Sequence, residues 1–417
     1  MINKPKIGLV HYTYPPVVGG VERLVQDQAR LFSKYGFQTT VYTGEGINTD
    51  DHVTLSIIPE FKSLALSHPN LQEKLLKESI FPAEFYQLKN ALYTKIEKAF
   101  ADTDIFIIHN ILTNILNIPL NVALKDYIKN HPEKKFVAWT HDIALDEDKK
   151  KEQFRNPELE SLIYQPLDSV SYIAISEFLK QTLTEKIGFP QENIPVIYNG
   201  IDVGSFFNFD DVTQTFFSKH NLLNSDLLIL LPSKVMKHKN TDYCVNVVAE
   251  LKKDVPSVKL IITGKNFPHG KNIDYLKSIY DQISKLDLTD NIIFLSDQLV
   301  QAKGIFAFSV VKNLYLASDI VFFLSSYENF GLPLIEAGLS KTPVLCSNLL
   351  VFKEIDDKNI FLVDLAKDTP YQVAKKTLQI VTEDRQIAYF KKIKKKFNYD
   401  TIFLNQIVPL VNKLTKI

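Results

Sequence analysis

The sequence predicts an α/β protein with two domains of similar architecture, each built on an open parallel sheet. Three observations carry this. Short apolar runs that end in polar residues alternate with longer stretches at helical spacing, from Ile7 onward. The alternation lapses in a polar, Asp- and Phe-containing linker after Asp202, reaching to about Asn224, and restarts at Leu227. The chain has 417 residues, a length that favours two or three domains, each able to bury a core.

Composition narrows the function classes. Hydrophobic residues make up 45% and charged residues 23%, the balance of a soluble globular enzyme. Lys+Arg and Asp+Glu are both 48, which argues against a nucleic acid or other polyanionic partner. Cys244 and Cys346 are the only cysteines and both sit in apolar settings, so no disulfide framework or thiol metal site is expected. The amino-terminal apolar run is too short for a signal peptide, and no stretch approaches the roughly 20 apolar residues of a membrane span. A cytoplasmic location is the default expectation.

In chain order, Ile7 to Val10 reads as a first strand, followed by a loop with Gly19-Gly20 and a helix from about Val21 to Tyr35. Strand, Gly-rich loop, helix is a phosphate-cradle layout, although a Gly-Gly pair alone is most often a turn. Gly36 ends the helix, and Thr39 to Thr43 is the second strand. Residues 60–100 carry amphipathic helix interrupted at Pro82, with Leu71, Leu75, Leu88, Leu92 and Ile96 on apolar faces. Strands over Ile105 to Ile108, Phe136 to Thr140 and Tyr172 to Ile175 end at His109-Asn110, His141-Asp142 and Ser176-Glu177. In a parallel sheet those three polar ends share one edge. The charged run Asp142 to Glu152 reads as a solvated loop or helix. Ile194 to Ile197 reads as the last strand of this half, before the turn Asn199-Gly200-Ile201-Asp202.

The second half opens with a strand over Leu227 to Leu231 and a loop bearing Lys234, Lys237 and Lys239. A basic surface loop is the bland reading; a diphosphate clamp is the sharper one, because paired cations offset the charge of a departing nucleotide. Lys259 to Thr263 and Asn291 to Leu295 are further strands, ending at Gly264-Lys265-Asn266 and Ser296-Asp297-Gln298. The stretch Asp319 to Asn348 organises this half. Its apolar run Ile320 to Leu324 leads into Ser325-Ser326-Tyr327-Glu328-Asn329, then Phe330-Gly331-Leu332-Pro333. A helix is expected from Leu334 or Ile335, with Glu336 in its first turn, where the helix field favours anions. Val344 to Cys346 is the next strand. Tyr371 to Ile417 is mainly helical, and the basic run Lys391 to Lys396 reads as a solvated helix face, with weak contact to an anionic membrane as the lesser reading.

Glu328 and Glu336, with Ser326, Phe330-Gly331-Leu332-Pro333, Ala337 and Pro343-Val344 around them, resemble the signature of retaining glycosyltransferases of family 4. The resemblance covers nearly the whole chain in order. It includes Gly19-Gly20, His141-Asp142, Ser176, Asn199-Gly200-Ile201-Asp202, the Lys234 to Asn240 loop, the Asn313 to Asp319 segment and Phe397-Asn398-Tyr399. The family has Arg where Lys234 stands; lysine is a point charge without the guanidinium fork. The chain has only four arginines, and a general drift toward lysine accounts for the change.

The resemblance implies the GT-B fold, two Rossmann-like domains facing each other across a cleft. Residues 1–200 would form the acceptor-side domain and 201–395 the nucleotide-sugar domain, with 396–417 a helix crossing back. It implies transfer of a hexose from a nucleoside diphosphate sugar to a hydroxyl acceptor, with retention and without a required metal or cofactor. Lys234 and Lys239 would bind the diphosphate, and Glu336 the ribose. Glu328 with Asn329, Phe330, Gly331 and Leu332 would hold the sugar. His141 would border the anomeric carbon, and Gly19 and Gly20 the phosphates and acceptor, with His109 and Ser176 on the acceptor side. Two alternatives stay open: a phosphorylase-type enzyme of the same fold, and a non-catalytic nucleotide- or carbohydrate-binding protein. Sugar, base, acceptor and oligomeric state are not encoded in these motifs.

Overall fold

The computed structural model describes residues 4–48, 50–78, 80–143, 159, 161–162, 165–188, 190–264, 272–298, 305–356 and 358–415. The chain divides into two compact units, one of Met1–Gly200 with Ile402–Ile417, the other of Ile201–Thr401.

The first unit carries a six-stranded parallel sheet of β1 (Ile7–His11), β2 (Thr39–Thr43), β3 (Thr54–Ile57), β4 (Ile105–His109), β5 (Lys135–Thr140) and β6 (Val170–Ala174). The spatial order is β3-β2-β1-β4-β5-β6. Every residue of β1 and β4 is buried, as expected of strands covered on both faces. One face packs on the helices Ala83–Ala99 and Ile118–Asn130 through Leu92, Ile96, Leu120, Leu124 and Tyr127. The helix Gly20–Lys34 buries Leu24, Val25 and Phe32, and Phe403 of the chain's end closes on it, edge-on to Phe32 and stacked on Tyr35.

The second unit repeats the plan with β7 (Leu227–Lys234), β8 (Val258–Gly264), β9 (Ile292–Phe294), β10 (Ile320–Phe323), β11 (Val344–Ser347) and β12 (Phe361–Val363). Its spatial order is β12-β11-β10-β7-β8-β9, the first sheet's order strand for strand. Two Rossmann-like sheets are therefore present. Leu227, Ile229 and Leu231 of β7 face one core, and Leu228 and Leu230 face the other, the period-two alternation of a strand buried on both sides. At the amino edge, the buried Lys394 ammonium donates to Asp319 Oδ1 and to the Ala317 carbonyl, both at 3.0 Å, while the Leu228 amide donates to Asp319 Oδ2. The basic run is thus partly internal.

Four sequence expectations need correction. Ile194 to Ile197 is not a strand; one bridge, Ala174 to Val196, is all that pairs there. The expected linker is folded into the second unit: helices Val203–Phe206 and Asp211–Lys219 place Phe209, Phe216 and Phe217 in its core. Its phenylalanines, not its polar residues, decide its fate. Ser296-Asp297-Gln298 continues a short helix, Leu295–Gln298. The helix after β10 runs Leu332–Ser340, with Pro333 in its first turn, so Glu336 lies in the second turn and not among the unpaired amides. Lys265, Asn266 and residues 144–152 lie outside the described residues.

Candidate active site

In an open parallel sheet ligands gather beyond the carboxyl ends of the strands, where the strand order reverses. That point lies between β1 and β4 in the first unit, and between β7 and β10 in the second.

In the first unit the reversal point is lined with imidazoles. His11 and His109 are the last residues of β1 and β4, and His141 follows β5. His11 Nδ1 lies 3.1 Å from the His109 carbonyl, and His109 Nδ1 lies 3.1 Å from His141 Nε2. The His109 and His141 rings stack with centroids 5.4 Å apart. Burial lowers the pKa of both, His109 well below the usual histidine value and His141 to about 3, so both rings are neutral at physiological pH. Glu22 approaches from the adjoining helix. Its Oε1 lies 3.7 Å from His11 Nε2 and accepts from the Thr13 hydroxyl at 2.7 Å. The His11 contact, foremost, pulls its carboxyl down to about 2.

Two small features hold this edge. Asn110 has φ 62°, and its Oδ1 accepts from the amides of His141 and Asp142, while its amide nitrogen donates to Asp142 Oδ1 at 2.8 Å. Gly19 caps the helix Gly20–Lys34. A methyl group there would land 1.9 Å from Glu22 Oε2, displacing a carboxylate that His11 and Thr13 hold, whereas one at Gly20 would meet nothing within 4 Å. Ser176 is a helix cap: its hydroxyl accepts from the Leu179 amide at 3.1 Å.

In the second unit the reversal point is charged. A register shift between Leu231 and Lys234 lets β7 end with Lys234 exposed beside Gly264, where a methyl group would sit 3.0 Å from the Lys234 Cγ. The turn Lys237–Lys239 follows, closed by Asn240 at φ 52°, whose side-chain amide donates to the Leu324 carbonyl at 2.8 Å. The Ser326 amide donates to the His238 carbonyl at 2.7 Å. These bonds join the loops after β7 and β10 and bring the Lys239 ammonium onto Glu328 Oε1, an ion pair that also lies over the Phe323 ring. Lys237 is turned away toward Asp242 and Tyr275.

Gly331 takes φ 132°, open to glycine alone in practice, and Phe352 and Ile355 pack 3.2 Å from where its Cβ would be. This places Phe330 and Leu332, both more than half exposed, on either side of the bend. The Asn329 side chain accepts from the Tyr327 hydroxyl at 2.7 Å. The Tyr315 hydroxyl donates to Glu336 Oε2 at 2.6 Å; burial foremost, and then this carboxylate, raise the Tyr315 pKa far above its usual value.

The structure thus brings together Lys239 and Glu328, with Glu336 on the following helix, and His109 with His141. Sequence reasoning missed His11, Glu22 and Tyr315. His11 carries the same signal as the other two histidines, a polar residue closing an apolar run. Tyr315 lies in the Asn313 to Asp319 segment of the resemblance, but nothing there marks its bond to Glu336, 21 residues away. Among the described residues no group of three or more His, Cys, Asp or Glu could hold a metal ion, and no helix is long and apolar enough to cross a membrane.

Comparison with known proteins covers both units. The family model "Glycosyl transferases group 1" matches residues 212–397, and "Glycosyltransferase Family 4" matches residues 18–205. Mannosylglucosylglycerate synthase of Petrotoga mobilis is 22% identical over 399 residues, covering 88% of each chain. Alpha-1,3/1,6-mannosyltransferase ALG2 of Candida glabrata is 25% identical, covering 83% of this chain and 76% of its own. Among solved structures, Anabaena HepE in complex with UDP aligns over 98% of this chain and 100% of its own, at 18% identity and a TM-score of 0.35.

Proposed function

Because this chain belongs to the group 1, family 4 glycosyltransferases and is an enzyme of that class, we propose that it moves a hexose from a nucleoside diphosphate sugar to a hydroxyl acceptor, with retention and without a required metal. The observation that carries the donor side is the Lys239–Glu328 pair at the strand-order reversal of the second sheet, with Glu336 on the next helix. In this reading Lys234 and Lys239 hold the diphosphate and stabilise charge on the leaving phosphate. Glu336, one oxygen already held by Tyr315, offers the other to the ribose. Glu328 and the backbone from Asn329 to Leu332 hold the sugar. His141 borders the anomeric carbon, Gly19 and Gly20 the phosphates and acceptor, and His109 and Ser176 belong to the acceptor side. Residues 1–200 serve the acceptor and 201–395 the donor, with the end of the chain returning to the first domain. The mannosyl names of the relatives support a hexose. The location is cytoplasmic, with weak membrane contact through the exposed lysines near residue 395.

The test is a thermal-shift screen against nucleotides and nucleotide sugars, since a ligand that binds only the folded state raises its stability by mass action. One donor should stand out, and NMR of the product it yields should show the donor's anomeric configuration, with turnover unchanged by EDTA. Turnover that needs inorganic phosphate and no nucleotide sugar would replace this reading with a phosphorylase. Inversion or EDTA sensitivity would overturn the corresponding part.

A further inference from the structure

The histidine edge of the first unit contains more chemistry than the placement of His141 uses. Three rings meet there, and their hydrogen bonds constrain which nitrogens carry protons. A carbonyl oxygen only accepts, so His11 Nδ1, 3.1 Å from the His109 carbonyl, carries a proton and donates it. That bond fixes the backbone end of β4 and hence the root of the His109 side chain.

The contact between His109 Nδ1 and His141 Nε2 then admits two arrangements, since both rings are neutral and one proton lies between them. If His141 Nε2 donated, His109 would carry its own proton on Nε2. That atom is buried and has no hydrogen-bond partner among the described residues, and His109 as a whole is 0% exposed. A buried N–H without an acceptor is among the rarest features of folded proteins; a buried unpartnered lone pair is better tolerated. If instead His109 Nδ1–H donates, its Nε2 is a lone pair and the cost falls away. His141 Nε2 is then the acceptor, and the one proton of the neutral His141 ring sits on Nδ1.

Resting on the placement of His141 beside the transferred sugar, we infer that His109 is a positioning residue that fixes His141 as the Nδ1–H tautomer, making His141 a hydrogen-bond donor to an oxygen of the bound sugar and not a proton acceptor. Asn110 completes the device by holding the His141 amide. The assignment divides the histidines by role. His109, 0% exposed, acts on the acceptor side only through His141, which presents one fixed N–H. A donor of fixed direction contributes without reorganising as charge develops at the anomeric centre. His141 removes no proton from the acceptor hydroxyl.

Ring-nitrogen NMR on protein labelled with 15N at histidine tests this without any ligand, because Nδ1–H and Nε2–H tautomers give different nitrogen shift patterns. Signals are assigned with His109→Asn, His109→Leu and His141→Asn. The expected result is the Nδ1–H form for both His109 and His141 in the wild type. His109→Asn, whose amide can donate from near the old Nδ1 position, should keep His141 as Nδ1–H; His109→Leu should release it toward Nε2–H. With a donor found by the thermal-shift screen, His109→Leu should lower kcat by about tenfold, the loss of one neutral hydrogen bond, with donor KM little changed, and His109→Asn should recover most of it. An Nε2–H signal for His141 in the wild type overturns the inference, as does a His109→Leu variant whose His141 spectrum and kcat match the wild type. Absence of turnover with every nucleotide sugar would instead sink the donor-site reading, while the wild-type spectrum still decides the tautomer.

Discussion

At the strand-order reversal of the first sheet, β1 and β4 end in His11 and His109; at the same place in the second sheet, β7 ends in Lys234 and the loop after β10 carries Glu328. The strand order is shared. The chemistry is not. The first edge buries two neutral imidazoles, whereas the second pairs an ammonium with a carboxylate. Topology fixes where a ligand can sit, and the strand-end residues fix which ligand. An edge with a lysine–carboxylate pair suits a diphosphate, and an edge of neutral imidazoles, beside a Glu22 already held by His11 and Thr13, suits sugar and hydroxyl.

A second lysine–carboxylate pair lies at the amino edge of the second sheet. Lys394 and Asp319 have side chains 2% and 0% exposed, against 16% each for Lys239 and Glu328. Lys394→Met should cost about 3–5 kcal/mol of stability, because Asp319 is left buried without its cation. Urea unfolding measures it. A loss below about 1 kcal/mol would mean that burial does not separate the two pairs.

Lys239→Ala is the converse. Glu328 keeps access to water, so stability should fall by no more than about 1 kcal/mol. Diphosphate-containing ligands should bind more weakly and kcat/KM should drop about a hundredfold, near 2.7 kcal/mol of transition-state stabilisation. A variant that binds donor normally, or that unfolds, breaks the assignment of this edge to phosphate.

Within the charged edge, the two carboxylates should separate. On the proposed reading Glu336 meets the ribose, a contact that ground and transition states would share, so Glu336→Gln should act on donor KM. On the same reading Glu328 meets the sugar that moves, so Glu328→Gln should act on kcat. Each should cost on the order of 1.5–3 kcal/mol, roughly ten- to hundredfold. Steady-state kinetics with donor varied and acceptor saturating decides between them, and identical profiles would erase the distinction.

How much of this was legible in the sequence follows from the range of each interaction. Strand ends show as polar residues closing apolar runs, which marks His109, His141 and Lys234; Glu328, in the loop beyond β10, is marked by the resemblance of its stretch to the family signature. The helix after Gly331 could not be started correctly, because its first turn depends on the φ of Gly331 and its packing on Phe352 and Ile355. The Phe-rich segment after Asp202 read as a linker because its partners in the core, Leu228, Ile261 and Val321, come later in the chain. The Tyr315–Glu336 bond and the His11–Glu22 contact join elements that only the fold brings together. Pairing across the fold is invisible to periodicity; pairing along a strand edge is not.

The last difference between the two edges is a pH dependence that belongs to the first. An unfolded histidine takes up its proton near pH 6.5, but folded His141 holds out to about 3 because burial disfavours the cation. Between those values the unfolded chain binds more protons than the native one, so stability falls as pH falls. His109, also lowered by burial, adds in the same direction. Each such histidine can contribute up to about 1.4 kcal/mol per pH unit across its window. Glu22, drawn down to about 2 chiefly by His11, adds a second window: its contribution is present above about 4.5 and is lost on the way down to 2. The first unit should therefore lose stability steadily below pH 6.5, before carboxylate protonation alone would explain it. His141→Asn keeps a hydrogen-bonding side chain and removes one titrating ring. Its urea midpoint should depend less steeply on pH between about 6 and 4 than that of the wild type, whatever its absolute stability. Equal slopes for the two proteins would show that His141 does not stay neutral in the fold, and the contrast between an edge of neutral imidazoles and one of paired charges would go with it.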